Sequence, residues 1–316
     1  MPVGNNFWGR IKKFVEGKRE KNMKNVDIMI VGQLSLDINT DFGGREERVI
    51  GGAVLCSGFA ADASGAKVAV LAKGNRGQAD PMRAFASRPG IEVIPVDSAR
   101  CTSISNVYHT ADRERRTCRA ISHIDPYRPE DIPDDIRAEI YHAAGLMAGD
   151  IDDDMIAELA SRGKAAVDVQ CLLRRDDGEQ MAFHDWPEKK KYLPMITYLK
   201  TDAAEAEILT GLTDRYAAAK LLHDWGAKEV MITHNTEVIV YDGETMAAAP
   251  LKPRNLTGRT GRGDTTFAGY LAKRLRCGIE ESTRYAAALV SLKMETPGPF
   301  TGTEEDVYAY MKEFYD

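Results

Sequence analysis

A glycine-rich segment that ends in an acidic residue is the part of this 316-residue chain whose residue types most clearly indicate chemistry. It has the sequence Leu256-Thr-Gly-Arg-Thr-Gly-Arg-Gly-Asp264, and a stretch with helical spacing follows, with Phe267, Leu271 and Leu275 on one face. A flexible loop that opens a helix directs backbone N–H groups and the positive end of the helix dipole at one point. The segment therefore predicts an anion-binding site.

Asp264 determines what such a site could do. The spacing Gly258-x-x-x-x-Gly263-Asp264-Thr265 is similar to a phosphate-binding P-loop, but Asp stands where that loop has a lysine. Because a carboxylate is repelled by phosphate oxygens, it cannot hold the phosphate. It can act as a general base that removes a proton from an attacking hydroxyl. The alternative is that Asp264 only caps the helix.

Strand-like and helix-like stretches alternate along most of the chain. Short apolar runs predict buried strands at residues 27–31, 67–71, 165–169, 196–199 and 229–233. Helical spacing is found at residues 53–63, 153–161, 203–210, 214–225, 265–276 and 280–294. This alternation predicts an α/β fold in which helices cover both faces of a mostly parallel sheet.

Two segments interrupt the alternation. Residues 102–110 and 115–124 are β-type stretches around a polar turn, and residues 36–49 form another extended, polar pair. We expect these segments to form a small β-sheet that is attached to the main domain as a lid.

Composition and charge exclude several classes of protein. The net charge is −6, yet residues 1–25 carry seven basic and two acidic side chains, so the rest of the chain is more acidic than the average indicates. An acidic body argues against a nucleic-acid partner. The five cysteines are scattered singly, which indicates neither a disulfide framework nor a zinc site. With no apolar stretch of membrane-spanning length and no signal peptide, we expect a cytoplasmic protein without membrane contact.

These segments together resemble the PfkB (ribokinase-like) carbohydrate kinase family from Val26 onward. Thr260-Gly-Arg-Gly-Asp264 before a Phe-containing helix resembles the family's C-terminal signature, and Gly32-Gln-Leu-Ser-Leu-Asp37 resembles its Gly…Asp opening. Gly51-Gly52 is similar to the di-glycine that lets a substrate approach the backbone.

Later segments continue the resemblance in family order. The stretch 200–211 is similar to the region that organises magnesium and phosphates, residues 231–243 resemble the strand pair on the nucleotide side, and the two hairpins match the family's β-lid. The resemblance divides the chain into a basic extension, residues 1–25, and a kinase domain, residues 26–316, with lid segments at about 36–49 and 101–124.

The resemblance implies transfer of the γ-phosphoryl group of ATP, as its Mg²⁺ complex, to a hydroxyl of a small polyol, sugar or cyclitol. Asp264 would be the general base, and the backbone N–H groups of Gly261, Arg262 and Gly263 would stabilise the phosphoryl charge. Asp37 and the two glycines of the di-glycine would face the acceptor. A homodimer formed through the lid is a further expectation.

The same resemblance implies a donor side. Its nucleotide-binding residues would be Thr233, Arg259, Thr260, Gly261 and Gly263. Asp202 and Glu205 would support the metal through water, and the alternative is that both acids only complement the dipole of a helix. Residues 286–290 would line an adenine pocket. The alternative is that they only pack against the sheet.

Several positions depart from the family pattern. Gly258-Arg259-Thr260 replaces the frequent Asp-Thr-Thr, whose Asp helps to hold a monovalent cation in many relatives, so a potassium requirement does not carry over. Either loop arginine, Arg259 or Arg262, could supply positive charge instead. The turn after Thr233 lacks the usual glycines, and Cys56 stands where sugar kinases commonly have Asn. Residues 167–174 resemble the branch with inositol kinases and favour a cyclitol.

Two rival interpretations stay open at this point. One is a nucleoside or phosphosugar kinase, for which a basic cluster is available near the lid, at Arg113, Arg115, Arg116 and Arg119. The other is a non-catalytic member of the fold that senses a ligand. The retained Asp264 argues against the second.

Overall fold

The computed structural model describes residues 23–110, 115–178 and 180–316. The predicted basic extension therefore lies almost wholly outside the described residues, as does Arg113. Fifteen strands occur in the described ranges: β1 (Lys24–Gln33), β2 (Ser35–Thr40), β3 (Glu46–Gly51), β4 (Val68–Gly74), β5 (Glu92–Asp97), β6 (Ser103–Tyr108), β7 (Arg116–Ser122), β8 (Ile136–Ala143), β9 (Lys164–Asp168), β10 (Arg174–Asp176), β11 (Met181–Phe183), β12 (Ile196–Asp202), β13 (Glu229–Thr233), β14 (Glu237–Tyr241) and β15 (Met246–Pro250).

Ten α-helices occur in the same ranges, and several are single turns. They are α1 (Ala53–Ala63), α2 (Pro81–Ala84), α3 (Asp153–Arg162), α4 (Gln170–Leu173), α5 (Lys189–Tyr192), α6 (Ala203–Thr210), α7 (Arg215–Asp224), α8 (Arg262–Arg274), α9 (Ile279–Lys293) and α10 (Glu304–Phe314). None of the helices in these ranges is both long and apolar enough to cross a membrane.

Nine strands form the main sheet, in the order β15-β14-β13-β12-β9-β8-β1-β4-β5. The strands from β13 to β5 are parallel, and β14 and β15 add an antiparallel edge. Because parallel strands end at the same edge of a sheet, the residues after β1, β9, β12 and β13 are brought together there.

Helices cover both faces of this sheet, and each face has its own apolar core. Ile28 and Ile30 of β1 pack toward α1, α8, α9 and α10, whereas Met29 and Val31 point to the opposite core with α3, α6 and α7. This period-2 alternation is what a strand buried on both faces requires. The predicted α/β fold is confirmed.

The two interrupting segments form one four-stranded sheet, in the order β3-β2-β6-β7. Strand β2 follows β1 after the single residue Leu34, so the small sheet leaves the main sheet directly at the edge where the parallel strands end. The Ser103 hydroxyl donates a 2.6 Å hydrogen bond to the Leu36 carbonyl and ties the two hairpins together.

All five predicted strands are present, but β5, β8 and β15 of the main sheet were not predicted. Arg137 and Glu139 interrupt the apolar run at the start of β8, which is buried on alternate residues there and on both faces only later. Gly278, between α8 and α9, has an extended conformation with φ −67° and is the N-cap residue of α9.

Candidate active site

The glycine-rich loop enters α8 through Gly261, which adopts the left-handed conformation with φ 75°. The N-cap residue is a glycine, so no N-cap side chain bonds to the first N–H groups of this helix. A Cβ atom on Gly261 would lie 2.3 Å from the Cys56 Sγ atom, so conformation and space both require glycine. Asp264 is the third residue of α8, which excludes the alternative that it is the N-cap residue.

Asp264 is a partly buried residue at this helix start. Burial raises its pKa to about 6, and the nearby Asp168 carboxylate adds to that shift. The ammonium groups of Lys200 and Lys293 oppose the rise. The group is thus largely ionised at neutral pH, yet more basic than an ordinary aspartate, which suits a proton acceptor.

Lys200, at the end of β12, lies directly beneath the loop. Its ammonium Nζ atom is 3.0 Å from Asp168 Oδ2 and 3.9 Å from Glu205 Oε2, and all three side chains are at most 5% exposed. Burial alone lowers the pKa of Lys200, but these carboxylates outweigh it and raise the pKa above its usual value. A Cβ atom on Gly263 would lie 3.0 Å from this ammonium, so glycine allows the close approach.

Lys293, the last residue of α9, supports the loop from the opposite direction. Its Nζ atom donates a 2.6 Å hydrogen bond to the Gly258 carbonyl and a second bond to the Thr260 carbonyl. The Gly258 N–H donates in turn to the Met294 carbonyl at 2.7 Å. The loop backbone is thereby fixed against the C-terminal end of α9.

The predicted acceptor residues come together beside the start of α1. A Cβ atom on Gly51 would lie 3.1 Å from Asp37 Oδ2, and one on Gly52, at φ 113°, would lie 2.3 Å from the Gln33 carbonyl oxygen. The Asp37 Oδ1 atom is buried and has no hydrogen-bond partner in the described part of the chain. A buried acceptor without a partner is costly, and a ligand hydroxyl would satisfy it.

Cys56 lies between the acceptor residues and the proposed base. Burial, together with the carboxylates of Asp264 and Asp37, raises the pKa of its thiol to about 12. The thiol is therefore neutral and small, and it separates two carboxyl groups of one cleft.

Asp202 and Glu205 form a capping box at the start of α6. The Glu205 N–H donates to Asp202 Oδ1 at 2.8 Å, and the Asp202 N–H donates to Glu205 Oε2 at 2.7 Å. Burial raises the pKa of Glu205, and the positive charge of Lys200 opposes this rise. The pair therefore fits helix capping and does not fit a pair of direct metal ligands. No group of three or more His, Cys, Asp or Glu side chains suited to a metal ion occurs among the residues that the structure covers.

The remaining donor-side residues surround the ends of β12 and β13. Thr233 is the sheet neighbour of Asp202. Arg262 lies near His234. Burial lowers the pKa of the His234 imidazole most, and the charges of Arg215 and Arg262 lower it further. Arg259 is half-buried, whereas Thr260 is exposed and contributes its carbonyl to the contact with Lys293.

Sequence reasoning missed the roles of Asp168, Lys200 and Lys293. Lys200 directly follows an apolar strand and precedes Asp202. A lysine at the end of a buried strand could therefore have indicated a buried cation at the site. Lys293 lies inside a helical stretch with no local pattern that separates it from a surface lysine. The expectation that residues 286–290 wall an adenine pocket is wrong in this structure, because these residues are 0% exposed and pack against the sheet and neighbouring helices.

The chain is similar to known kinases over most of its length. A model described as pfkB family carbohydrate kinase matches residues 27–306. A solved pyrophosphate-dependent kinase of the ribokinase family, complexed with a pyrophosphate analogue and myo-inositol, is 34% identical and has a TM-score of 0.81 over 89% of this chain and 99% of that chain. A cytidine kinase of Thermococcus kodakarensis is 27% identical over 267 residues, which cover 78% of this chain and 88% of that protein.

A more distant structure has the same fold. The ribokinase of Arabidopsis thaliana, solved with ribose and ATP, is 16% identical and has a TM-score of 0.72 over 91% of this chain and 99% of that chain. At this identity the likeness concerns the fold alone.

We predict that Lys200→Met lowers the free energy of unfolding by about 3–5 kcal/mol, because Asp168 is left buried without its counter-charge. Urea denaturation followed by circular dichroism measures this loss. The double variant Lys200→Met/Asp168→Asn should recover part of it, since the Asp168 charge is removed together with its partner while Glu205 still loses Lys200. A single variant as stable as the wild type would show that the pair does not hold the loop.

Proposed function

The chain belongs to the pfkB family of carbohydrate kinases, and we propose that it transfers a phosphoryl group to a hydroxyl of a small cyclitol or sugar with Asp264 as the general base. The observation that carries this proposal is the position of Asp264 in the first turn of a helix whose N-cap residue, Gly261, makes no side-chain cap hydrogen bond. A proton acceptor and a phosphate-binding backbone thus adjoin each other, which is what the reaction requires.

In the proposed reaction the acceptor hydroxyl gives its proton to the Asp264 carboxylate while its oxygen attacks the terminal phosphorus of the donor. The bond from that phosphorus to the bridging oxygen breaks, and the rest of the donor leaves. The N–H groups of Gly261, Arg262 and Gly263 stabilise the negative charge on the phosphoryl oxygens. The lid sheet would exclude water and so prevent hydrolysis of the donor.

The acceptor would lie between Asp37 and Asp264. An acceptor hydroxyl would donate to the unpaired Asp37 Oδ1 atom, while Gly51 and Gly52 let the ring approach the backbone. We favour a cyclitol, because the 34% identical kinase was solved with myo-inositol and residues 167–174 favour the same class. A nucleoside is the alternative that the cytidine kinase suggests.

A phosphosugar acceptor would need cations near Asp37. Burial raises the pKa of Asp37, and Arg174 and Arg116 lie near enough to oppose that rise. These two arginines are the candidate phosphate contacts. They also balance the buried carboxylate, so an uncharged acceptor needs no further cation.

The donor could be ATP with Mg²⁺, as the family resemblance implies, or pyrophosphate. Two features of this chain favour pyrophosphate. The α9 face that would wall an adenine has no exposed surface, and the β13–β14 turn lacks the usual glycines and lies near Arg262 and near Arg215, which forms an ion pair with Glu237. A compact, highly charged donor needs such cations and no adenine pocket. ATP is therefore our second candidate.

With either donor, Mg²⁺ would neutralise phosphate oxygens when it is bound. Asp202 is half-buried and would face a hydrated ion, with Thr233 beside it in the sheet. Glu205 would act on that ion only through Asp202 and water.

A second copy of the chain is the proposed protein partner. Four apolar side chains on the lid strands are exposed, namely those of Val49, Ile50, Val107 and Ile121. Association through the outer face of the lid would bury those of Ile50, Val107 and Ile121, whereas Val49 is the sheet neighbour of Asp37 and lies on the acceptor side. A cytoplasmic location, with no nucleic-acid or membrane partner, likewise stays a prediction.

A panel of donors and acceptors tests the proposed function. Pyrophosphate or ATP, each with Mg²⁺, is incubated with cyclitols, sugars, phosphosugars and nucleosides, and ³¹P NMR detects the new phosphate monoester. We expect myo-inositol-like cyclitols to be phosphorylated, with pyrophosphate the better donor. ATP-dependent turnover would support the second donor. If no donor is consumed faster with any acceptor than without one, the proposal is wrong.

Asp264→Asn should lower kcat by about 10²–10⁴-fold, since the amide cannot accept the proton. Donor affinity, measured by calorimetry, should be unchanged or higher because a repelling charge is removed. Asp62→Asn, in the last turn of α1, is the matched control and should keep wild-type turnover. Near-normal turnover by the Asp264→Asn variant would contradict the mechanism.

The pH profile provides an independent check of the base. Asp264 accepts a proton only when it is ionised, and its pKa is raised to about 6, so kcat/KM should fall as the pH drops through 6. The slope should approach about tenfold per pH unit. Circular dichroism at each pH separates this loss from unfolding. A profile that stays flat down to pH 4.5 would exclude a base with this pKa.

A further inference from the structure

Lys293 is a buried cation whose contacts are unlike those of a surface lysine. Lys293 is only 2% exposed, and its ammonium group donates hydrogen bonds to the backbone carbonyls of Gly258 and Thr260. These carbonyls flank Arg259 and lie immediately before the loop that supplies the phosphate-binding N–H groups. The ammonium is thus bound to backbone oxygens of the loop, as a metal cation would be.

The local packing leaves no room for an acidic side chain in the same place. A Cβ atom on Gly258 would lie 1.9 Å from the Thr296 carbonyl oxygen, and the Gly258 N–H is already bonded to the Met294 carbonyl. An aspartate at position 258, which helps to hold a monovalent cation in many chains with this signature, cannot be accommodated without moving the backbone. The loop therefore lacks the carboxylate and has the lysine instead.

A positive charge is needed at this point for an electrostatic reason. Two carbonyl dipoles point their negative ends at one spot, and the Asp264 carboxylate is near enough to affect the pKa of Lys293, which burial lowers and Asp264 raises. Without a cation these groups would repel one another, and the loop would lose its conformation. A covalently attached ammonium supplies the charge with no binding step.

We propose that Lys293 is a positioning residue that takes the place of a bound monovalent metal ion and holds the anion-binding loop, so that the protein works without potassium. The effect on catalysis rests on the proposed function, whereas the effect on the loop does not. The proposal requires that removal of the ammonium create a dependence on monovalent cations that the wild type lacks.

The test compares the wild type with Lys293→Met at constant ionic strength, with potassium chloride replacing tetramethylammonium chloride. For the variant in the absence of potassium we expect turnover to fall about a hundredfold, the usual cost of misplacing a catalytic group by about 1 Å. Potassium or ammonium should restore most of this turnover and raise the melting temperature of the variant. Lithium, which is too small to span the carbonyls, should do neither.

Lys273→Met is the matched control, because Lys273 is also a buried lysine but pairs with Glu304, away from the loop. It should lower the melting temperature without any response to potassium. The wild type should respond to potassium in neither measurement.

Three results would overturn the proposal: strong potassium activation of the wild type, wild-type turnover by Lys293→Met without potassium, or a damaged Lys293→Met variant that potassium improves in neither measurement. If the Lys293→Met variant is recovered only unfolded, the potassium titration of the wild type tests the proposal, because strong activation of the wild type by potassium would overturn it. If the wild type phosphorylates no acceptor, the proposed function fails, while the melting temperatures still test the role of Lys293.

Discussion

The charge balance around the Asp264 carboxyl group is the constraint on which the proposed function depends, because a base that accepts a proton beside phosphate oxygens would be repelled by them. The start of α8 offers N–H groups and the positive end of a helix dipole. Two buried ammonium groups, of Lys200 and Lys293, lower the pKa of Asp264 against the effects of burial and of Asp168. The resulting balance leaves a base that is ionised at neutral pH.

Each lysine is itself held by groups that the fold must bring together. Lys200 reaches the loop because β9 and β12 are parallel neighbours, so Asp168 and Lys200 end at the same edge of the sheet. Lys293 reaches it because α9 packs beside α8 and ends against the loop. Glycine is needed at 258 and 261 because a carbonyl and a thiol group approach the loop backbone too closely for side chains, and glycine at 263 leaves room for the Lys200 ammonium. An acidic chain can thus handle an anionic donor through a few local cations.

Much of this arrangement was predictable from short-range patterns. Alternating apolar runs predict the parallel sheet, which is confirmed, whereas the anion site with a base that the segment ending in Asp264 indicates stays a prediction. The rest depends on contacts between distant positions. Lys293 lies 35 residues from Gly258, and no local pattern marks it as buried. Asp202 and Glu205 have the spacing of metal-supporting acids and equally that of a capping box, and only the hydrogen bonds distinguish the two.

The most direct measurement is a crystal structure of the protein with an acceptor and an unreactive donor analogue such as methylenediphosphonate. We expect the terminal phosphate to contact the N–H groups of Gly261, Arg262 and Gly263. One acceptor hydroxyl should lie about 3 Å from the Asp264 carboxylate. A phosphate bound away from this loop, or an acceptor whose hydroxyls do not reach Asp264, would contradict the proposed mechanism.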